Sequence, residues 1–262
     1  MAKRSPLAEK LGEVKDRIAR ACTRAGREAR DVTLIAVTKT AAPEQIREIL
    51  QFGVADLGES RVQVLAQRAA QINEFHQRSL QHGEGMPPRI RWHMIGHLQR
   101  NKVKLVLPVC EIIHSIDSLR LAEEIDTAGG RAGRKVPVML QINASGEEQK
   151  YGVAVGASHH LAEQLDTMPN LQLVGLMTMA PLTDNKDEIR RVFARMREIF
   201  EEMKWNKIGG GHLRHLSMGM SNDFEEAILE GATMVRIGSL LFGGNSADVG
   251  ESDHPEPNPQ AA

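Results

Sequence analysis

Lys39 closes a run of apolar and β-branched residues, "LIAVTK" (34–39), and Pro43 then opens a helix-like segment. A lysine at a strand end usually just reaches into solvent. Set over an apolar floor, its ammonium is partly desolvated, gives up its proton more readily and becomes an amine nucleophile. Strand alternation puts Thr33, Ile35, Val37 and Lys39 on one face, so Lys39 reaches a barrel mouth if that face looks inward. A second set of candidates lies near the end of the chain. "SMGMSND" (217–223) places Ser217, Gly219 and Ser221 on one strand face ahead of a helix start, and "RIGS" (236–239) does the same for Arg236 and Gly238, with Ser239 following. Hydroxyls and backbone N–H groups at helix starts satisfy a phosphate without many cations.

A nucleophilic lysine facing a phosphate cradle suits a phosphorylated carbonyl compound held as a Schiff base. Pyridoxal 5'-phosphate is one member of that class and the substrate of a phosphosugar aldolase is another. Other polar clusters carry less. His93 and His97 in "WHMIGH" are four apart, which is metal-ligand spacing only on a helix, and here they straddle a strand end and Gly96. "QRNKVK" (99–104) reads as a solvated face, "HH" (159–160) as helix surface, and no G-x-S-x-G elbow supports Ser-His-Asp chemistry.

Short apolar runs recur along the chain: 33–39, 54–59, 91–96, 112–117, 136–143, 171–180, 215–221 and 234–243. Segments with helical spacing lie between them, such as the stripe Ile189, Phe193, Met196 and Phe200. Ser118 and Asn222 supply helix-start signals. Eight strands alternating with helices predict a single (β/α)8 barrel with an extra N-terminal helix, whose ligand sits at the carboxyl ends of the strands. An open doubly wound sheet fits the count less well, and no G-x-G-x-x-G turn supports it. "HQRSLQHGEGMPPR" (76–89) reads as a loop, and residues 1–244 as one domain followed by a polar, Pro-rich tail (245–262) with too little apolar area to fold.

Lys plus Arg number 33 and Asp plus Glu 34, a formal charge of -1 that offers no general attraction to nucleic acid or to acidic membranes. No apolar run has membrane-spanning length, and the first thirty residues lack a signal-peptide core. Two cysteines, Cys22 and Cys110, predict no disulfide framework and a reducing, cytoplasmic setting.

Taken together, "AVTKT", "GESRVQ", "WHMIGHLQRNK", "HSIDS", "LQINASGEEQKYG", "GLMTMAP" and "LSMGMSNDFEEAILEGATMVRIGSLLFG" resemble the pyridoxal phosphate homeostasis proteins over about residues 7–244. The resemblance implies a barrel like the N-terminal domain of alanine racemase (the type III fold of pyridoxal-phosphate proteins). It also implies cofactor joined to Lys39, Arg236 facing the pyridine nitrogen, and phosphate held by Ser217 or Ser221 with Gly238 and Ser239. Met218 and Ser60 complete the set. The chain departs from the family pattern at "GESRVQ", where Ser60 and Arg61 stand in place of the common Asn and Tyr.

A guanidinium at the pyridine nitrogen keeps that nitrogen unprotonated and the ring a weak electron sink. A racemase also needs a second acid/base, a tyrosine in alanine racemases. The single tyrosine here, Tyr151, reads as structural, and the chain ends with the barrel and tail. The expectation is therefore a monomeric carrier that buffers the cofactor and delivers it to apo-enzymes, with a low-activity amino-acid racemase as the alternative.

Overall fold

In a computed structural model, which describes residues 5–83, 85–147 and 149–243, the runs of β-branched residues form strands of one closed sheet. The strands are β1 (Thr33–Val37), β2 (Asp56–Glu59), β3 (Arg91–Met94), β4 (Cys110–Ile116), β5 (Val136–Asn143), β6 (Val153–Ala154), β7 (Leu171–Met177), β8 (His215–Ser217) and β9 (Met234–Ile237). The two-residue β6 only adds to the end of β5. The other eight pair in parallel in the order β1-β2-β3-β4-β5-β7-β8-β9, and β9 returns to β1 with Ala36 opposite Ile237. This is the expected (β/α)8 barrel, and closure leaves it no free sheet edge.

The helices are α1 (Pro6–Arg24), α2 (Pro43–Gln51), α3 (Val62–Gln81), α4 (Val103–Val106), α5 (Leu119–Arg131), α6 (Val155–Asp166), α7 (Lys186–Trp205), α8 (Phe224–Leu229) and α9 (Ser239–Phe242). The extra helix α1 starts cleanly: the Ser5 hydroxyl accepts from the Ala8 N–H at 3.1 Å, and Pro6 occupies its first turn. Leu7, Leu11, Val14 and Ile18 are buried at helical spacing. Arg17 lies over the Phe224 ring of α8 and pairs with Glu225 at 2.9 Å, fixing α1 against the last helices. None of the described helices is long and apolar enough to cross a membrane.

The loop expected at 76–89 begins later than its sequence suggests. α3 continues through Gln81, with His76 and Ser79 buried on its inner side and the His76 ring hydrogen-bonded to the Pro87 carbonyl at 2.6 Å. "HQRSLQ" contains no helix breaker, so burial carries the helix on to the first glycine, Gly83. The tail expected at 245–262 lies outside the described residues.

Two cores separate the layers. The larger lies between strands and helices and contains Ala36, Leu57, Met94, Ile113, Leu140, Leu176, Leu216, Met218 and Ile237. The smaller gathers Ile35, Ile112, Met139, Val174, Met177 and Met234, which alternation places inside the barrel. Barrel interiors of this class are filled mainly by branched apolar side chains. Here buried polar groups share the space: Asp56, His93, His114, Ser217 and Arg236.

Candidate functional site

β1 delivers Lys39 to the mouth. The strand ends at Val37, two residues earlier than the apolar run suggests, and Thr38 adds one more ladder bond from its N–H to the Gly58 carbonyl at 2.9 Å. Lys39 then sits in a turn, half-buried, and nothing among the described residues hydrogen-bonds or ion-pairs with its ammonium. Ile35, on the same strand face, belongs to the interior cluster, as alternation predicts for an inward-facing lysine two turns of the pleat further on.

What holds that turn is a buried carboxylate. Glu59, the last residue of β2, is fully buried. One oxygen accepts from the Ser60 N–H at 2.9 Å; the other takes the Arg68 guanidinium and the Thr38 hydroxyl, each at 3.1 Å. Arg68, from α3, also donates to the Thr38 and Ala41 carbonyls on either side of Lys39. Glu and Arg one helix apart are visible in the sequence, but their contact with the lysine turn depends on how α3 packs.

Arg236, on β9 next to β1, is 4% exposed. Its guanidinium donates to the Ser217 hydroxyl at 2.7 Å and to the Thr178 carbonyl at 3.0 Å. Burial pushes its pKa down to about 10, against the pull of Asp223, which leaves it charged at neutral pH. A guanidinium has five N–H donors, so these two bonds leave three unused. Ser217 is fully buried, and its hydroxyl also lies within hydrogen-bond reach of His114 Nδ1, at 3.0 Å. Of the two serines weighed for a phosphate, Ser217 is fully buried and engaged by Arg236, whereas Ser221 is half-buried and makes no side-chain hydrogen bond among the described residues.

Ser221 lies half-buried in the turn after β8, and Ser239 is exposed at the start of α9. Gly219 makes the first turn possible: its φ of +92° favours glycine, and a Cβ there would meet the Ala227 side chain at 2.6 Å. Gly238 is needed for a different reason, since a Cβ there would press on Val37 Cβ and its carbonyl at 3.2 Å. The bare backbone lets the end of β9 lie against the end of β1, and the Thr40 hydroxyl ties the two following loops by donating to the Gly243 carbonyl at 3.1 Å. Lys39, Ser221, Arg236, Gly238 and Ser239 thus gather around the ends of neighbouring strands.

Two candidates are placed differently. Met218 alternates outward into the strand–helix core, and its N–H is taken by the Met234 carbonyl at 3.2 Å. Ser60 is half-buried at the end of β2 with its hydroxyl unused among the described residues. The two histidines of "WHMIGH" part company. His93 turns into the barrel, whereas His97 pairs with Asp117 at 3.1 Å and stacks on Tyr151 with ring centroids 4.1 Å apart.

The comparisons agree with the barrel fold. The model of the alanine racemase N-terminal domain matches residues 10–246. The pyridoxal phosphate homeostasis protein of Aquifex aeolicus is 39% identical over 90% of this chain and 96% of its own length, and that of Escherichia coli is 35% identical over 90% and 96%. PipY of Synechococcus elongatus, solved with pyridoxal phosphate bound, is 31% identical with a TM-score of 0.75, covering 90% of this chain and all of that one. An alanine racemase from Clostridium difficile, 14% identical, shares the barrel at a TM-score of 0.68, and this chain spans 58% of it. Matched along nearly its whole barrel by sequence and by structure, the chain belongs to the alanine racemase N-terminal domain family and, within it, to the pyridoxal phosphate homeostasis proteins.

Proposed function

We propose that this protein binds pyridoxal 5'-phosphate in the barrel mouth, joined to Lys39, and holds and hands on the cofactor rather than turning over amino acids. The observation that carries the reading is the pairing of an unengaged lysine amine with a buried guanidinium that keeps free donors, on adjacent strands. When bound, the cofactor supplies an aldehyde for an amine and a pyridine ring whose nitrogen accepts a hydrogen bond. Lys39 fits the aldehyde. Arg236 can only donate, so it fits an unprotonated ring nitrogen and disfavours strong electron withdrawal. Ser221 and Ser239, with the backbone around Gly238, fit the phosphate, and Ser60 lies at the rim. The bound state of PipY and the names of the relatives support the same reading.

Racemase chemistry needs an acid/base on each side of the ring. Tyr151, the chain's single tyrosine, has its ring packed flat on His97, an interplanar angle of 14°. The reading is therefore of a carrier whose recipients are apo-enzymes that need the cofactor.

One preparation tests both halves. After loading and borohydride reduction, peptide mapping should find the cofactor on Lys39; an adduct on Lys102 or Lys150 instead would overturn the site. Before reduction, the same protein should exchange the α-proton of alanine no faster than free cofactor does. A well-placed acid/base contributes roughly 10²–10⁴-fold, so turnover that vanishes in Lys39→Ala would establish the racemase alternative.

A further inference from the structure

Five buried side chains from five strands form one hydrogen-bonded file through the barrel interior. Arg236 Nη1 donates to Ser217 Oγ at 2.7 Å, and Ser217 Oγ lies 3.0 Å from His114 Nδ1. His114 Nε2 lies 2.9 Å from His93 Nδ1, and His93 Nε2 lies 3.0 Å from Asp56 Oδ1. Asp56 opens β2 and is met from outside by the half-exposed Arg91, whose Nε donates to it at 2.7 Å. The file therefore runs from the amino ends of the strands to the residue under the mouth.

Its two ends differ in kind. A guanidinium only donates, and an ionised carboxylate only accepts. A neutral imidazole has one hydrogen to give and one lone pair to receive, and the Ser217 hydroxyl has one hydrogen to give. With both imidazoles neutral, one arrangement satisfies every contact: Ser217 donates to His114 Nδ1, His114 donates through Nε2–H to His93 Nδ1, and His93 donates through Nε2–H to Asp56. Both imidazoles are then in the same tautomer. Burial, with the Arg236 charge adding to it, pushes the His114 pKa well below the ordinary value. Burial raises the Asp56 carboxyl, but hydrogen bonds from His93 and Arg91 outweigh it and keep the pKa below the ordinary value. The edge-on rings of His93 and His114, at 75°, suit donation in the plane of one ring. The order resembles a nucleophilic serine relay, but Arg236 occupies the serine oxygen and Ser217 is wholly buried.

We propose that Asp56 is a positioning residue for Arg236. By fixing the tautomers of His93 and His114 it turns the Ser217 lone pair toward the guanidinium and so sets where Arg236 meets the ring nitrogen. The last step rests on the cofactor reading above; the tautomers do not. Asn at position 56 could accept or donate, so the file could reverse, the Ser217 hydrogen would be displaced from His114, and Arg236 would lose its fixed partner.

The test uses the full chain labelled with nitrogen-15 in histidine. Long-range proton–nitrogen correlation should show His93 and His114 as neutral Nε2–H forms, with or without cofactor. Asp56→Asn should shift at least one of them to Nδ1–H, move the absorption band of bound pyridoxal phosphate and weaken its binding about tenfold, the scale of one hydrogen-bond contribution. Arg91→Gln, which leaves the carboxylate in place, should keep the wild-type tautomers. Ser217→Ala cuts the file without stranding a charge; it should leave the His93 tautomer as it is and still move the band, which keeps the proposal testable if Asp56→Asn does not fold. Nδ1–H forms in the wild type, or a band unmoved by Ser217→Ala, would overturn the proposal, whereas failure to bind the cofactor at all would overturn the reading beneath it and leave the tautomer result standing.

Discussion

At the mouth of the barrel the hydroxyls of Ser60, Ser221 and Ser239 and the ammonium of Lys39 make no hydrogen bond or ion pair within the described residues. One level down, Ser217 receives from Arg236 and is hydrogen-bonded to His114, and the two histidines behind it are joined to each other and to Asp56. The same residue types are thus spent in one layer and held open in the other. The difference follows from solvent. Polar groups at the mouth are hydrated while they wait for a ligand, so leaving them unpaired in the chain costs little. Those inside the barrel have no water to turn to, and an unpaired donor or acceptor there costs about 1–3 kcal/mol. A site that binds needs open capacity above and rigid support below, and Arg236 is where the two meet.

Breaking the support should have the largest effect. Glu59 is wholly buried and joins Arg68, Thr38 and Ser60 under the lysine turn. Glu59→Ala strands the Arg68 charge and should cost about 3–5 kcal/mol in denaturant unfolding, the range for removing one partner of a buried pair. A loss under about 1 kcal/mol would mean that water already solvates Arg68.

The open layer is tested by the ligand instead. Pyridoxal lacking the phosphate should bind at least about a hundredfold more weakly, because two charge-assisted hydrogen bonds contribute roughly 1.5–3 kcal/mol each and every 1.4 kcal/mol is tenfold. Titration calorimetry with both forms reads this directly. Equal affinities would make the Ser221 and Ser239 turns purely structural.

The smallest effect is the sharpest probe of the saturated layer. Burial holds the His114 pKa well below 6.5, so between that lowered value and 6.5 the unfolded chain binds a proton that the folded one refuses. This stability is fully present above pH 6.5 and is lost as the pH falls, by about 1.4 kcal/mol per pH unit. His215, lowered by burial and by His93 and Arg214, pushes in the same direction. Melting curves between pH 7 and 5 should show this slope, and His114→Gln should flatten it; an unchanged slope in the variant would place the titration elsewhere.

Much of the mouth was legible in the sequence because its residues end or follow strands and lie close to one another in the chain. "LIAVTK" announces a strand that carries a lysine, and "SMGMS" and "RIGS" announce turns built around a glycine; each pattern is local, and the closed barrel follows from eight such strands in order. The point where β1 stops and the point where α3 ends were not readable in the same way. Val37 ends the strand because Glu59 and Arg68 turn the next residues, and α3 runs on to Gln81 because His76 and Ser79 are buried there.

The sequence by itself determined the alternation of strands and helices, the lysine at the end of the first strand and the glycines of the last two turns, because period and turn chemistry act over a few residues. Only the tertiary structure decided that positions 56, 93, 114, 217 and 236 form one file and that Ser217 belongs to it rather than to the mouth. The physical reason is closure. A histidine or serine facing inward reads the same as any buried polar residue until the eight strands meet, and the hydrogen bonds that give it a role span the barrel from one strand to another far away in the chain.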